Sequence, residues 1–210
     1  NKPSNTVLNL GLHITSTALV QAYYEVNPSN NLNPDIFSLK GSNALGTAFF
    51  VPFQNYLNNS YTQSTSSFDI VATEDNTIIQ ITPKKPIQGH APNITFSIVL
   101  DEGQTWSGRA TSTLASQHPF GTVVTSNKPI AITMSDDSVA GTPYGGCADI
   151  MGDQIVPVSI VGTEYIAVKG NLNGPDKVFF IPTEPNTTIS VNGNVVSTLA
   201  TLSSIYTHTL

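Results

Sequence analysis

Short runs of β-branched and aromatic residues, each ended by Gly, Pro, Asn or Asp, recur along this whole chain. No stretch carries apolar residues at the i, i+3, i+4, i+7 spacing that an amphipathic helix needs to bury one face. The runs fall at 19–26, 48–53, 68–72, 77–82, 95–100, 122–125, 130–134, 154–158, 165–169, 177–182, 187–191 and 204–209. Asn192 followed by Gly193 marks a tight hairpin, because both residues accept the positive φ of a type I′ turn. This pattern predicts an all-β chain.

An internal repeat organises the runs. Residues 68–81 (FDIVATEDNTIIQI) align with 178–191 (VFFIPTEPNTTISV) at an offset of 110, Thr73 falling on Thr183. The same offset lays residues 11–16 on 121–126. Between these blocks, 45–51 (LGTAFFV) matches 161–167 (VGTEYIA) at 116, so the second copy carries a longer loop before this block and a shorter one after it. The order of blocks is kept, which predicts two tandem β-sandwich-like units, 1–120 and 121–210. No Gly/Ser/Pro linker separates them, so close packing is expected, within what reads as a fragment of a longer chain. TEDNT (73–77) and TEPNT (183–187) are read as turns between paired strands, and Gly46 and Gly162 as turn residues needing a positive φ.

Composition narrows the function classes. Only 10% of residues are charged, against about a quarter in ordinary domains, and Ser, Thr, Asn and Gln supply the polarity. Such chains are common among secreted and cell-surface proteins. A net charge of −6 with Arg109 as the single arginine disfavours nucleic acid, whose binding requires phosphate neutralisation. No apolar run reaches the roughly 18 residues of a membrane helix, so no membrane insertion is expected. Cys147 is the single cysteine and has no internal disulfide partner. His13, His90, His118 and His208 show no zinc-site spacing.

The densest polar group lies between 135 and 154. It holds Asp136, Asp137, Asp149, Asp153 and Gln154, with Gly141, Gly145 and Gly146 among them. A Gly-rich crossover loop with four carboxylates has the oxygen ligands that Ca²⁺ takes, although no EF-hand spacing is present. The competing readings are turn-capping aspartates satisfied by backbone amides, or a pair of catalytic carboxylates. Amide capping is preferred, and no cofactor is expected beyond a candidate Ca²⁺. Trp106 is either an exposed aromatic contact for a ligand or a strand residue closing a sheet edge, the latter preferred because Tyr206 stands in the equivalent place. No GxSxG elbow accompanies the serines.

The second-copy motifs carry a family resemblance. VTSNKPIA (124–131), GCAD (146–149) and GDQIVPVSIVGTEY (152–165) resemble the N-terminal domain family of the IgG-Fc-binding protein, and 68–83 is similar to that family's ATEDNT segment. The resemblance spans roughly 11–192. The family occurs in a mucus-associated animal protein and in bacterial surface proteins. Animal members carry a Cys pair around the loop where Cys147 stands alone, and the local spelling resembles Bacteroidota surface proteins, some linked to gliding-motility adhesins. The resemblance implies no catalytic residues. It implies a non-enzymatic, extracellular module of a large bacterial cell-surface adhesin or surface-filament protein. Its partners would be other domains of the same long chain and a host or surface protein or glycan ligand. The alternative is a carbohydrate-active or hydrolytic domain using the acidic stretch from Asp136 to Asp153.

Overall fold

The computed structural model describes residues 3–26, 35–139, 148–170, 174–202 and 204–210. Strands hold 46% of the described residues, which contain only three 3-10 turns and no α-helix, so the all-β class holds. Two compact units are present, Asn1–Ile160 and Val161–Leu210.

The first unit contains β1 (Ala22–Val26), β2 (Asp35–Leu39), β3 (Gly46–Val51), β4 (Ser66–Ala72), β5 (Thr77–Thr82), β6 (Phe96–Leu100), β7 (Thr105–Arg109), β8 (Thr122–Val139) and β9 (Asp149–Gln154). β1 and β2 form an antiparallel hairpin. The other seven strands form one nearly closed sheet with β6-β5-β8-β4-β7 as its main path. The 18-residue β8 organises it. β5 and then β4 run along one edge, opposite 123–126 and 130–136, while β3 and β9 line the other. Residues 121–139, which the repeat assigns to the second copy, thus close the sheet of the first unit.

Pro129 explains the geometry at the middle of β8. Proline has no N–H for a ladder, and it falls between the last residue paired with β5, Ser126, and the first paired with β4, Ile130. The 73–76 turn fills this gap. Thr73 Oγ1 donates to Pro129 O at 2.6 Å, and Ile78 N donates to Asn127 Oδ1 at 2.8 Å. β4 and β5 therefore do not pair with each other, contrary to the sequence expectation. They are successive segments along one edge of β8, and the turn spans the break between them.

Period-2 burial fixes the core. β4 buries Phe68, Ile70 and Ala72, and β5 buries Ile79 and Ile81, while Ile78 and Gln80 face solvent. Each fully buried Phe or Ile contributes about 1.5–3 kcal/mol relative to exposure. Gly108 makes room for Phe68, since a Cβ there would lie 2.4 Å from the phenyl Cζ. Gly46 and Gly162 do not have positive φ, which corrects the expectation for both. Gly46 is required for another reason: its Cβ would meet Pro157 Cβ at 2.3 Å, whereas a Cβ at Gly162 meets nothing closer than 3.6 Å.

The second unit contains β10 (Lys177–Phe180), β11 (Thr187–Val191), β12 (Asn194–Leu199) and β13 (Tyr206–Thr209). β10 pairs with β13 and β11 with β12, both antiparallel. The β11–β12 hairpin turns at Asn192 and Gly193, with φ of 50° and 81°, as the Asn-Gly pair predicts.

Candidate functional site

The connection between β3 and β4, residues 52–65, is rich in Asn, Gln, Ser, Thr and Tyr and is anchored by a buried polar cluster. Asp136 on β8 is fully buried. Its Oδ1 accepts from Asn59 Nδ2 at 2.8 Å and from Ser66 Oγ at 2.8 Å, and its Oδ2 accepts from Gln54 Nε2 at 2.7 Å. The equally buried His118 ring places Nδ1 3.3 Å from the same Oδ2 and 2.8 Å from Gln54 O. His118 Nε2 lies 3.1 Å from Asn59 Oδ1. Both ring nitrogens are thus engaged, Nδ1 also lying 3.3 Å from Gln54 Nε2. Burying that carboxylate would cost several kcal/mol without these partners.

The cluster fixes the connection. Gln54 Oε1 accepts from the backbone N–H of Tyr56 and of Leu57, each at 2.8 Å, folding the chain into a local turn. Further along, Asn59 N donates to Thr113 O at 2.9 Å and Ser60 N to Ser138 O at 2.8 Å. On this fixed backbone Tyr56 and Tyr61 are 58% and 63% exposed. Tyrosines on a Ser/Asn-rich, pre-shaped loop give large contact area at low entropic cost, which is the composition of antibody paratopes. The arrangement is not a hydrolytic triad. Ser66 donates to the carboxylate rather than to the imidazole, and all three groups are sealed from solvent.

The predicted acidic residues lie on strands rather than in a loop, because the Ser-Asp-Asp-Ser segment continues β8. Asp136 points inward, and its satisfaction comes from side chains instead of the expected backbone amides. Asp137 Oδ1 accepts from Ser138 Oγ at 3.0 Å, and Asp149 Oδ1 from Ile150 N at 2.9 Å. Asp153 pairs with Lys40 at 2.5 Å, and Gln154 Oε1 accepts from Lys40 N at 2.6 Å. Among the described residues no group of three His, Cys, Asp or Glu is placed to hold a metal. Gly141, Gly145, Gly146 and Cys147 lie outside the described residues. Trp106 is 2% exposed, packed against Phe68, Phe96 and His90, so it offers no ligand-facing surface. Its contact with solvent is closed by the same stacking that places His90 flat on Phe96, centroids 3.4 Å apart, where desolvation lowers the His90 pKa.

Residues 37–208 match the family model of the IgGFc binding protein. The chain belongs to that family. No curated protein and no solved structure gave a match. The IgGFc-binding family is a family of binding modules, typically extracellular, and not a known enzyme family. No helix of the described chain is long and apolar enough to cross a membrane. The matched span includes the 52–65 connection and its anchors on β8. Sequence reasoning did not join Gln54, Asn59 and Ser66 to His118 and Asp136, because that one segment and the two distant residues share no recognisable spacing. The one legible signal was the Asn/Ser/Tyr-rich composition of 52–65.

Proposed function

We propose that this chain is a non-enzymatic extracellular module of a large bacterial cell-surface adhesin or surface-filament protein. It recognises a protein or glycan partner through the 52–65 connection. The observation that carries this reading is the buried Asp136–His118 cluster, which holds that connection in shape while Tyr56 and Tyr61 remain outside. A pre-shaped loop loses little entropy on binding, and tyrosine supplies an apolar body with a polar tip. Membership of a family of binding modules supports the same reading.

The test immobilises the chain and probes it with an immunoglobulin Fc fragment, mucin glycoprotein and a glycan array. Saturable binding is expected, with the ligand released chemically unchanged, and Tyr56→Ser with Tyr61→Ser together should weaken it by about tenfold or more. Binding untouched by both substitutions would remove the loop from the argument. Catalytic conversion of a glycan or ester, abolished by Asp153→Asn, would replace the module reading with the hydrolytic one.

A further inference from the structure

The two compact units do not coincide with the two sequence repeats, and the mismatch has a structural pattern. The strand pairs of the second unit follow those of the first. β4 pairs with β7 and β5 with β6; β10 pairs with β13 and β11 with β12. Ile70 lies opposite Trp106, and Phe180, 110 residues after Ile70, lies opposite Tyr206. The connecting turns agree as well. Asn76 and Asn186 have φ of 54° and 61°, and Thr77 Oγ1 and Thr187 Oγ1 donate to Glu74 O and Glu184 O at 2.6 and 2.7 Å. The hairpins that begin each repeat also correspond. Tyr23 lies opposite Ser38 in β1–β2, and Thr133 lies opposite Gln154 in β8–β9, at the offsets of 110 and 116 found in the sequence.

One difference remains. The opening strand of the second repeat, β8, pairs with β3, β4 and β5 of the first repeat. Among the described residues, β10 and β11 have no such strand beside them. Their burial shows the consequence: β5 buries Thr77, Ile79 and Ile81 completely, whereas Thr187, Ile189 and Val191 of β11 keep the same alternation but are only half-buried. At the other end of the chain, residues 12–20 are in no strand, with Leu12 83%, Leu19 104% and Val20 66% exposed. These residues are the repeat equivalents of 122–130, the part of β8 that covers β5.

We infer that each repeat lends its opening strand to the repeat before it, and that the open edge of β11 takes residues 12–20 of a second copy of this chain. The pairing of β5 with β8 gives the register. Ile79 opposite Ser126 and Ile81 opposite Val124 become Ile189 opposite Ser16 and Val191 opposite Ile14 of the second copy. The joined strands are antiparallel and neither carries Asp, Glu, Lys or Arg, with His13 the one titratable side chain in them, so no like-charge repulsion opposes them. The alternation of Leu12 and Ile14 presents apolar side chains at the period that β11 leaves uncovered. Joined this way the copies assemble head to tail, each giving a strand at one end and receiving one at the other. The inference does not depend on the ligand of the 52–65 connection.

Sedimentation of the full chain across a concentration series tests it. The mean mass should rise with concentration, and Leu12→Asp with Ile14→Asp should weaken association by about tenfold or more. In a Cys147→Ser background, Thr15→Cys with Ser190→Cys sits in the inferred register and should give a ladder of disulfide-linked chains. Thr15→Cys with Val195→Cys, on β12, should not. Buried-Trp106 fluorescence reports that the first unit stays folded in every variant. A chain that remains monomeric up to about 1 mM without a ladder overturns the inference. A disulfide closing within one chain, or an equal ladder from the β12 control, overturns it too.

Discussion

Removing the Asp136 carboxylate should unfold the first unit more readily than any nearby surface change. In Asp136→Ala the side chains of Gln54, Asn59 and Ser66 each lose an acceptor at 2.7–2.8 Å, and His118 loses its facing charge, all in a site with no access to water. Removing the shared acceptor of a buried polar cluster costs about 3–5 kcal/mol, since several donors are left without a partner. Asp136→Asn keeps the shape and some acceptor capacity, so about 1–3 kcal/mol is expected. Asp137→Asn, which changes the neighbouring charge, should stay within about 0.5 kcal/mol. For a unit of this size each kcal/mol moves the midpoint by about 2–4 °C, placing Asp136→Ala roughly 6–20 °C below the parent. Trp106 is the single tryptophan and lies buried in the first unit, so guanidinium unfolding followed by its fluorescence isolates this transition. Because the cluster also shapes the 52–65 connection, ligand binding should weaken at temperatures where the unit remains folded. An Asp136→Ala loss below about 1 kcal/mol would show that these hydrogen bonds are replaceable and would refute the reasoning.

Gly46→Val should cost about 1–3 kcal/mol through overpacking against Pro157, while Gly162→Val should stay within about 0.5 kcal/mol; comparable losses by thermal melting would contradict the packing difference. Burial, reinforced by Asp69, Asp153 and Asp35, pushes the Tyr24 phenol up to about 12. The neutral phenol is therefore favoured in the fold, and its contribution to stability is complete below the ordinary value near 10 and lost as pH rises through about 12. Phenolate absorbance at high pH should show one late-titrating tyrosine that moves down in Asp69→Asn. Millimolar calcium should leave the melting temperature within about 1 °C, since Asp136 is enclosed by four partners and Asp153 is paired with Lys40; a larger rise, reversed by EDTA, would assign the acidic residues to a cation.

What the sequence revealed and what it withheld follow one physical division. Alternation and turn chemistry are local, so the all-β class, the Asn192–Gly193 hairpin and the Thr-Glu-x-Asn-Thr turns were legible. Pairing is not local. Phe68 to Ile81 reads as two strands and a turn, which is the ordinary pattern of a hairpin, and only the third partner, β8, shows that the turn bridges a break around Pro129. The same limit applied to the site. Four aspartates close in sequence suggested one acidic loop, but strand alternation and side-chain pairing sent Asp136 to the interior and Asp153 to Lys40. His118 was weighed only for zinc-site spacing, because its partners lie some 18 to 64 residues away along the chain.

The buried cluster and the exchanged strand share a cause in this unusual composition. With few charged side chains available, the chain relies on backbone pairing and uncharged polar groups to specify its partners, and it places one carboxylate where β8 crosses beneath the connection from β3 to β4. Asp136 accepts from Gln54 and Asn59, both in that connection, and from Ser66 at the start of β4. A strand shifted by one residue along this edge would turn Asp136 outward and put Ser135 or Asp137 in its place, since side chains alternate across the sheet, and the Ser135 register would leave the site without a carboxylate. The Asp136 cluster therefore favours the observed register in which β8 joins β4. At the repeat equivalent of Asp136 the first repeat has Val26, at the end of β1. The joint formed by residues 12–20 lacks that internal constraint and relies on apolar alternation alone, so it should be the weaker and more exchangeable of the two.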